Sequence, residues 1–283
     1  EENLPEHPNF TFYECDLVEQ KQKLLKIMKK EKPSIVYHYA AINGTKFFYD
    51  IPYKLISNNI DITKNVLEGC KLIPLKKIIY ASSSEIYGTP KTIPTSEKEL
   101  ISLNLFADRD SYATSKAVGE FYVRLFAEKH NKDYLIFRIF NTYGPRMDTS
   151  ATGQVIPEFV RKITKDDVFT IIGNGKFTRS FCYVDDHVRL VIKLAETQSN
   201  DIFNVGDDDE ITINKLAETM HKILNRKFKP KYLPARPYDH PRRCPDISKM
   251  INVINDKPKI SLEEGLERTI KGLGHCYNKR DRR

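Results

Sequence analysis

The sequence predicts an α/β protein in which a parallel sheet is covered on both faces by helices. Strand and helix patterns alternate through the first half of the chain, and each helix is long enough to return the chain to the start of a parallel strand. The predicted strands are short apolar runs, which is typical of strands buried on both faces. With 283 residues, the chain can form one large or two small domains with a real core.

Each element of the first half has its own signal. Apolar residues at helical spacing, among them Leu24 and Met28, predict one helix. Pro52 stands at the start of another, where its missing N–H costs nothing. Apolar runs such as the one around Val36 predict strands. The predicted elements are, in order, a strand at 10–14, a helix at 17–31, a strand at 34–40, a helix at 52–70, a strand at 77–82, a helix at 112–131 and a strand at 134–139.

The second half of the chain changes character. A strand is predicted at 201–205, and the segment 230–241 is rich in proline and predicted to be extended. Helices are predicted at 155–163, 185–196, 212–224 and 262–271. We therefore expect two domains, 1–150 and 151–283.

Composition and charge limit the classes of function. No apolar run approaches the roughly 18 residues that span a membrane, and no signal peptide is visible, so we expect no membrane partner. The five cysteines are scattered and form no Cys/His cluster, which favours a reducing cytoplasm and no metal. The net charge is +8, partly from a lysine-rich segment at 21–32. A solvated helix face explains that segment better than a nucleic-acid surface, since no aromatic interleaving or DNA-binding motif accompanies it.

Tyr112 and Lys116 are the first candidate catalytic pair. A spacing of four residues places both on one face of a helix. A nearby ammonium lowers the pKa of a phenol, and a phenol with a lowered pKa can take a proton from a sugar hydroxyl. The alternative is a chance pairing of two common residues on a solvated helix face.

Polar residues follow the strand predicted at 77–82. Ser83, Ser84 and Glu85 leave this strand at its carboxyl end, where parallel sheets bind ligands. The alternatives are a serine-rich turn whose hydroxyls cap backbone groups, and a surface carboxylate at Glu85.

Six motifs in a fixed order carry a resemblance to a known family. They are HYAA (38–41), ASSSEIYG (81–88), SYATSK (111–116), RIFNTYGPRM (138–147), GNGKFTRSFCYVDD (173–186) and RRCPDISK (242–249). The series resembles the extended short-chain dehydrogenase/reductase family, in particular its NAD-dependent nucleotide-sugar epimerases, dehydratases and decarboxylases. The resemblance implies a Rossmann-type doubly wound parallel sheet, a smaller mixed α/β lobe that binds the nucleotide diphosphate sugar, and a homodimer.

The resemblance also implies roles for individual residues. Ser83, Tyr112 and Lys116 match the catalytic set, in which the tyrosine takes the proton of the sugar 4-hydroxyl while NAD accepts a hydride from C4. For the cofactor, Asp16 matches the residue that reads the adenine, and Asn59 a structural asparagine. His38, Ala40 and Ala41 match the small-residue turn beside the pyrophosphate and nicotinamide, and a buried His38 without a catalytic task is the alternative. For the sugar nucleotide, the matching residues are Ser84, Asn141, Arg179 and Arg243, with ion pairs as the alternative for the arginines.

Glu85 separates the activities within the family. A carboxylate directly before the Ile-Tyr-Gly sequence resembles the 4,6-dehydratases and, most of all, the UDP-glucuronate decarboxylases, in which it acts near C5. We therefore expect a lyase. A 4-epimerase, which SYATSK resembles more, and a catalytically silent binding subunit are the alternatives.

One expected motif is absent from the sequence. A dinucleotide-binding fold has a glycine-rich turn after its first strand, and neither GxGxxG nor GxxGxxG occurs here. We therefore expect the chain to lack the first strand–helix–strand unit. Truncation, a natural lack and omission of a disordered loop are the three explanations.

Overall fold

The computed structural model describes residues 4–150, 153–165 and 168–280, with side chains through Leu273. The helices are α1 (Lys21–Glu31), α2 (Thr45–Asp50), α3 (Pro52–Cys70), α4 (Asp110–His130), α5 (Val155–Thr164), α6 (Val184–Thr197), α7 (Ile213–Ile223), α8 (Ser248–Ile254) and α9 (Leu262–Arg280). The strands are β1 (Ile35–His38), β2 (Lys77–Ser83), β3 (Asp133–Ile139), β4 (Thr142–Tyr143), β5 (Thr170–Ile172), β6 (Thr178–Ser180), β7 (Cys182–Tyr183), β8 (Asp201–Val205), β9 (Glu210–Thr212), β10 (Lys231–Leu233) and β11 (Arg242–Arg243). A 3₁₀ turn at Ser84–Tyr87 follows β2.

A parallel sheet with the strand order β1-β2-β3-β8 forms the centre of the described chain. Successive side chains of β2 point to opposite faces, as a strand requires. Ile78 and Tyr80 pack in a cluster with residues of α1, α3 and α4, whereas Ile79 packs with residues of α6 and α8. The predicted doubly wound α/β fold is therefore confirmed.

The remaining strands form small sheets, which pair β4 with β7, β5 with β10, and β6 with both β9 and β11. Together with α5, α7 and α9 they enclose a second core that contains Phe159, Leu216 and Leu266. This is the smaller mixed lobe. The domain division at residue 150 stays a prediction, and the chain returns to the central sheet after that point, since β8 pairs with β3 and α6 and α8 cover the sheet.

Most predicted helices and strands are present within a residue or two of their predicted ends. Helix α3 and strand β8 have the predicted bounds, and α9 runs on to Arg280 instead of ending at 271. Within the part of the chain that the structure describes, no helix is both long and apolar enough to cross a membrane.

The predicted strand at 10–14 is wrong. This segment has no strand structure, and the side chains of Phe10 and Phe12 are each nearly half exposed. A strand exists only through hydrogen bonds to a neighbour, and among the described residues no strand pairs with this segment. The expected lack of a strand–helix–strand unit ahead of this segment stays a prediction.

The first helix begins at Lys21 and not at Leu17. Residues 17–20 form a turn in which the Asp16 carboxylate accepts hydrogen bonds from the backbone N–H groups of Val18 and Glu19, at 2.8 and 2.9 Å. Asp16 thus caps a turn, which is a common task of aspartate just ahead of a helix.

Candidate active site

A cavity of about 940 Å³ opens at the carboxyl ends of β2 and β3, between the central sheet and the smaller lobe. Both parts of the chain line it, as expected for a ligand site at the edge of a parallel sheet. The predicted site residues in its wall are Ala41, Ser83, Ser84, Glu85, Tyr112, Lys116, Asn141 and Arg179.

Tyr112 and Lys116 lie on one face of α4, as their spacing predicts, and both are buried at the cavity wall. The Tyr112 ring stacks on Phe48 with 4.8 Å between ring centroids. The Lys116 ammonium donates a hydrogen bond to the Ala81 carbonyl at 2.8 Å and lies 5.8 Å from the centroid of the Tyr112 ring. The pair is therefore a fixed part of the wall, and a solvated helix face is excluded.

The expectation that Lys116 leaves the Tyr112 phenol with a lowered pKa is wrong for this form of the protein. Burial raises the pKa of Tyr112, and the negative charge of Glu85 raises it further, whereas a hydrogen bond with Ser83 lowers it. Burial also lowers the pKa of Lys116 to about 8. Removal of water opposes the charged form of both groups, and it sets the direction of both shifts.

Ser83 and Ser84 lie where β2 ends. The Ser83 hydroxyl accepts a hydrogen bond from the Glu85 backbone N–H at 3.2 Å, which caps the 3₁₀ turn, and it also bonds with Tyr112. Ser84 is buried, and its hydroxyl is 3.5 Å from a guanidinium nitrogen of Arg243. Ser83 thus caps the turn and also contacts Tyr112, so both interpretations of this serine describe it, and its catalytic role stays a prediction.

A buried ion pair fixes α4 against the sheet. Arg138 of β3 donates to both oxygens of Glu120 on α4, at 3.0 and 2.8 Å, and the Ser82 hydroxyl donates to the same carboxylate at 2.6 Å. Such a bidentate pair sets geometry as well as energy. It fixes the separation between the end of β2, with Ser83, and the helix that carries Tyr112.

Glu85 is held between two guanidinium groups. Its carboxylate is 2.9 Å from Arg109 and 3.0 Å from Arg243, and the imidazole of His240 lies 3.9 Å away. Burial by itself raises the pKa of Glu85, but Arg243 and Arg109 lower it to about 2. The pKa of His240 falls to about 3 because it is buried beside the same arginines. Glu85 is therefore a carboxylate at neutral pH, and His240 is neutral.

Arg109 and Asp239 belong to this site and were not predicted. Both line the cavity, and Arg109 contacts Asp239 at 2.6 Å on the side opposite to Glu85. A signal for Arg109 exists in the sequence, since it precedes Tyr112 by three residues and so lies one turn away on the same side. For Asp239 the only signal is its place four residues before Arg243 in the proline-rich segment.

Three residues expected to bind the sugar nucleotide lie in or beside the cavity wall, and each already has a partner within the protein. Asn141 lines the cavity and donates to the Ser180 carbonyl at 2.9 Å. Arg179 also lines it and contacts Asp239 at 3.3 Å. Arg243 is buried behind Glu85 and is not part of the cavity wall. The ion-pair alternative thus describes both arginines here, and binding of diphosphate stays a prediction.

Most of the expected cofactor residues cluster near β1. His38 is buried, hydrogen-bonds Thr63 at 3.1 Å, and has its pKa lowered to about 3 by burial, so it is a neutral core histidine. Asn59 bonds the backbone N–H and carbonyl of Ile42 at 2.7 and 3.1 Å, which is a structural role. Ala41 lines the cavity, and the adjacent Ala40 is exposed.

The cavity-lining residues near the ends of β1 and β2 are compatible with NAD. Small side chains at Ala41 and Ala81 leave space at the strand ends, and Tyr112 and Lys116 face that space. Asp16 is exposed, does not line the cavity and uses its carboxylate for the turn, so its adenine role stays a prediction. In the described segments no group of three or more His, Cys, Asp or Glu is arranged to hold a metal ion.

Known proteins with similar sequences are nucleotide-sugar enzymes. UDP-glucuronic acid decarboxylase 3 of Arabidopsis thaliana is 34% identical over 260 residues, which is 92% of this chain and 73% of that protein. UDP-N-acetyl-alpha-D-glucosaminuronate decarboxylase of Bacillus cytotoxicus is 35% identical over 252 residues, 86% of this chain and 78% of that protein.

Solved structures with the same fold include an epimerase. UDP-glucuronic acid 4-epimerase from Bacillus cereus, in complex with UDP-glucuronic acid and NAD, superposes with a TM-score of 0.85 at 28% identity, and the match covers 96% of this chain and 83% of that one. The family model described as the NAD dependent epimerase/dehydratase family matches residues 1–206. With the ordered motifs, the doubly wound sheet and the Ser83, Tyr112 and Lys116 arrangement, this match shows that the chain belongs to the NAD-dependent epimerase/dehydratase family of enzymes.

Proposed function

We propose that this protein is a nucleotide-sugar lyase that oxidises the sugar transiently at C4. The preferred reaction is decarboxylation of UDP-glucuronate, and dehydration of a nucleotide hexose is the other lyase reaction. The observation that carries the proposal is Glu85, an ionised carboxylate in the cavity wall beside Ser83 and Tyr112. An epimerase has no step that needs this carboxylate.

The cofactor end of the cavity would be formed by Ala41, Tyr112 and Lys116. NAD, when bound, accepts a hydride from C4 of the sugar and returns it later in the same turnover. Lys116 already has a fixed orientation through the Ala81 carbonyl, which supports a role in holding the nicotinamide ribose.

The proton of the sugar 4-hydroxyl passes to the Tyr112 oxygen, with the Ser83 hydroxyl as the bridge between them. Because burial and Glu85 raise the pKa of Tyr112, a positive charge must stabilise its phenolate, and the Lys116 ammonium is the nearest one that the chain itself supplies.

The C4 ketone then weakens the bond from C5 to its carboxylate. The electrons of that bond move toward the ketone as carbon dioxide leaves, and C5 afterwards receives a proton. Glu85, which lines the same cavity as Ser83 and Tyr112, would act on the C5 side. Asn141 and Arg179, which also line the cavity, bind the diphosphate once Arg179 exchanges Asp239 for the phosphate oxygens.

A 4-epimerase is the second candidate. The structural similarity to the UDP-glucuronic acid 4-epimerase supports it, and so does the SYATSK motif. Both candidates use the same oxidation at C4, and they differ in the fate of the 4-keto sugar.

Product analysis separates the two. With the full-length enzyme, UDP-glucuronate and NAD, we expect a product lighter by carbon dioxide in the mass spectrum, together with release of labelled carbon dioxide. UDP-, GDP- and dTDP-hexoses serve as the comparison panel, in which loss of water would indicate a dehydratase. A product of unchanged mass with the opposite configuration at C4 would replace the lyase by the epimerase.

We also propose that the protein is a cytoplasmic homodimer. The cytoplasm is supported by the free thiols of Cys15, Cys70, Cys182 and Cys244. The dimer is supported by large apolar side chains that are mostly exposed on α4, namely Phe121 and Leu125, which lie one turn apart on the same face. Such a patch indicates an interaction site, and a two-fold axis would pair it with itself.

A negative charge introduced into this patch by substitution should separate the subunits. We expect the wild type to have twice the mass of one chain in light scattering, and Leu125→Glu to have the mass of one chain with an unchanged circular dichroism spectrum. Lys64→Glu, an exposed change on α3 with a charge but no lost apolar area, is the control. A wild type that is monomeric at all concentrations would contradict the dimer.

A further inference from the structure

The ion pairs around Glu85 form one connected chain that crosses the cavity wall. Arg109 contacts Glu85 at 2.9 Å through one terminal nitrogen and Asp239 at 2.6 Å through the other. Asp239 also contacts Arg179 at 3.3 Å and accepts a hydrogen bond from the His240 backbone N–H at 3.0 Å. Arg109 therefore links the turn after β2 to the segment between β10 and β11.

The position of Arg109 suits this linking role. Only 4% of its surface is exposed, and it lies directly before α4, three residues from Tyr112. The planar fork of a guanidinium can bridge two carboxylates in a fixed geometry, which the single ammonium of a lysine cannot do. The arginine that pairs with the Glu85 carboxylate is thus only three residues from Tyr112, the proposed general base.

We propose that Arg109 is a positioning residue that, by bridging Glu85 to Asp239, holds the Glu85 carboxylate in place for the step at C5, a role that rests on the proposed lyase function. Oxidation at C4 uses Tyr112, Ser83 and Lys116, none of which forms an ion pair with Arg109. The loss of carbon dioxide therefore depends on Arg109 more strongly than the oxidation does.

The charges that face Glu85 support this role. Burial favours the protonated form of Glu85, and Arg243 and Arg109 more than offset it, so that the pKa falls to about 2. The negative charge of Glu85 in turn raises the pKa of Tyr112. Asp110, also buried near Arg109, has a raised pKa that is due first to burial. Without Arg109, a buried carboxylate would have only Arg243 as a paired cation.

A titration of the substrate-free enzyme tests whether Arg109 keeps the Glu85 carboxylate ionised, and it does not depend on activity. The carbon-13 signal of the Glu85 carboxyl, assigned by its absence in Glu85→Gln, should show no protonation from pH 8 down to pH 5 in the wild type. In Arg109→Gln its midpoint should move up toward or beyond the ordinary value of about 4.3. In Arg109→Lys, which keeps the charge, it should stay close to that of the wild type.

Single-turnover kinetics test whether Arg109 positions Glu85 for the release of carbon dioxide. With UDP-glucuronate, we expect Arg109→Gln to slow the release of carbon dioxide about tenfold or more, the size of one lost charge-assisted contact, and to change the rate of C4 oxidation less than about twofold. Arg109→Lys should recover part of that loss. Asp239→Asn, which leaves Arg109 charged but unanchored, should slow the release without shifting the Glu85 titration upward.

Arg124→Gln is the matched control, because Arg124 is a partly exposed arginine of α4 that pairs with Glu128. It should change neither step. If Arg109→Gln slows oxidation and release equally and leaves the Glu85 titration unchanged, Arg109 has only a structural role and the inference is overturned. If the titration shifts as expected but the wild type releases no carbon dioxide from UDP-glucuronate, the decarboxylase assignment fails while the control of Glu85 by Arg109 stands.

Discussion

Replacing Tyr112 by Phe in the full-length enzyme is expected to lower turnover by at least about a hundredfold, the range for removal of a general base. Phe keeps the ring that stacks on Phe48 and removes only the hydroxyl that bonds with Ser83. The loss of one buried hydrogen bond costs about 1 kcal/mol of stability, so the fold should remain intact. Steady-state rates with UDP-glucuronate and a thermal melt of the same sample measure both effects.

Tyr122→Phe is the matched control, since Tyr122 lies on the same helix and its side chain is partly exposed on the outside. Lys116→Ala should also reduce turnover heavily while the sugar nucleotide still binds, because in the proposed mechanism Lys116 supports the phenolate, whereas Asn141 and Arg179 bind the diphosphate. Rates within a few-fold of the wild type for Tyr112→Phe would mean that the pair does no catalysis.

Helix ends that are determined by neighbouring residues could be predicted from the sequence. Pro52 marks the start of α3 because proline suits a first turn, and Thr212 caps α7 by accepting a hydrogen bond from the Lys215 N–H. The segment 10–14 has the composition of a strand, but a strand also needs a partner, and pairing is a property of the whole fold. The late start of α1 has a similar cause, since the Asp16 carboxylate stabilises a turn that competes with the first helical residues.

In the candidate active site, too, some features could be predicted from the local sequence and others depend on tertiary packing. The spacing of Tyr112 and Lys116 predicted that they share a face of α4, but the direction of the Tyr112 pKa shift depends on burial, which arises from packing against Phe48 and the sheet. Arg109 and Asp239 are 130 residues apart in sequence, so no local pattern could join them. The expected role of Glu85 rests on its motif and stays a prediction, whereas its ionisation depends on Arg243 and Arg109, which only the fold brings beside it.

Glu85→Gln is expected to abolish the loss of carbon dioxide, with a fall in rate of at least about a hundredfold, while oxidation at C4 continues. The amide keeps the size of the side chain and removes the charge that acts at C5, whereas Ser83, Tyr112 and Lys116 are unchanged. Reduced cofactor should therefore accumulate on the enzyme, with a 4-keto sugar nucleotide of unchanged carbon number. Absorbance of the reduced nicotinamide and mass spectrometry of the quenched reaction follow the two species separately.

The change leaves Arg109 and Arg243 facing a neutral amide, and breaking a buried ion pair costs about 3–5 kcal/mol, so the variant needs a thermal melt beside its kinetics. Glu85→Asp keeps the charge with a shorter reach and should retain more carbon dioxide release than Glu85→Gln does. Lyase chemistry at Glu85 requires this order, because the charge matters more than the length of the side chain. If Glu85→Gln is folded and harmless, and the wild type interconverts C4 epimers without a change in mass, then Glu85 serves only the ion pairs and the enzyme is an epimerase.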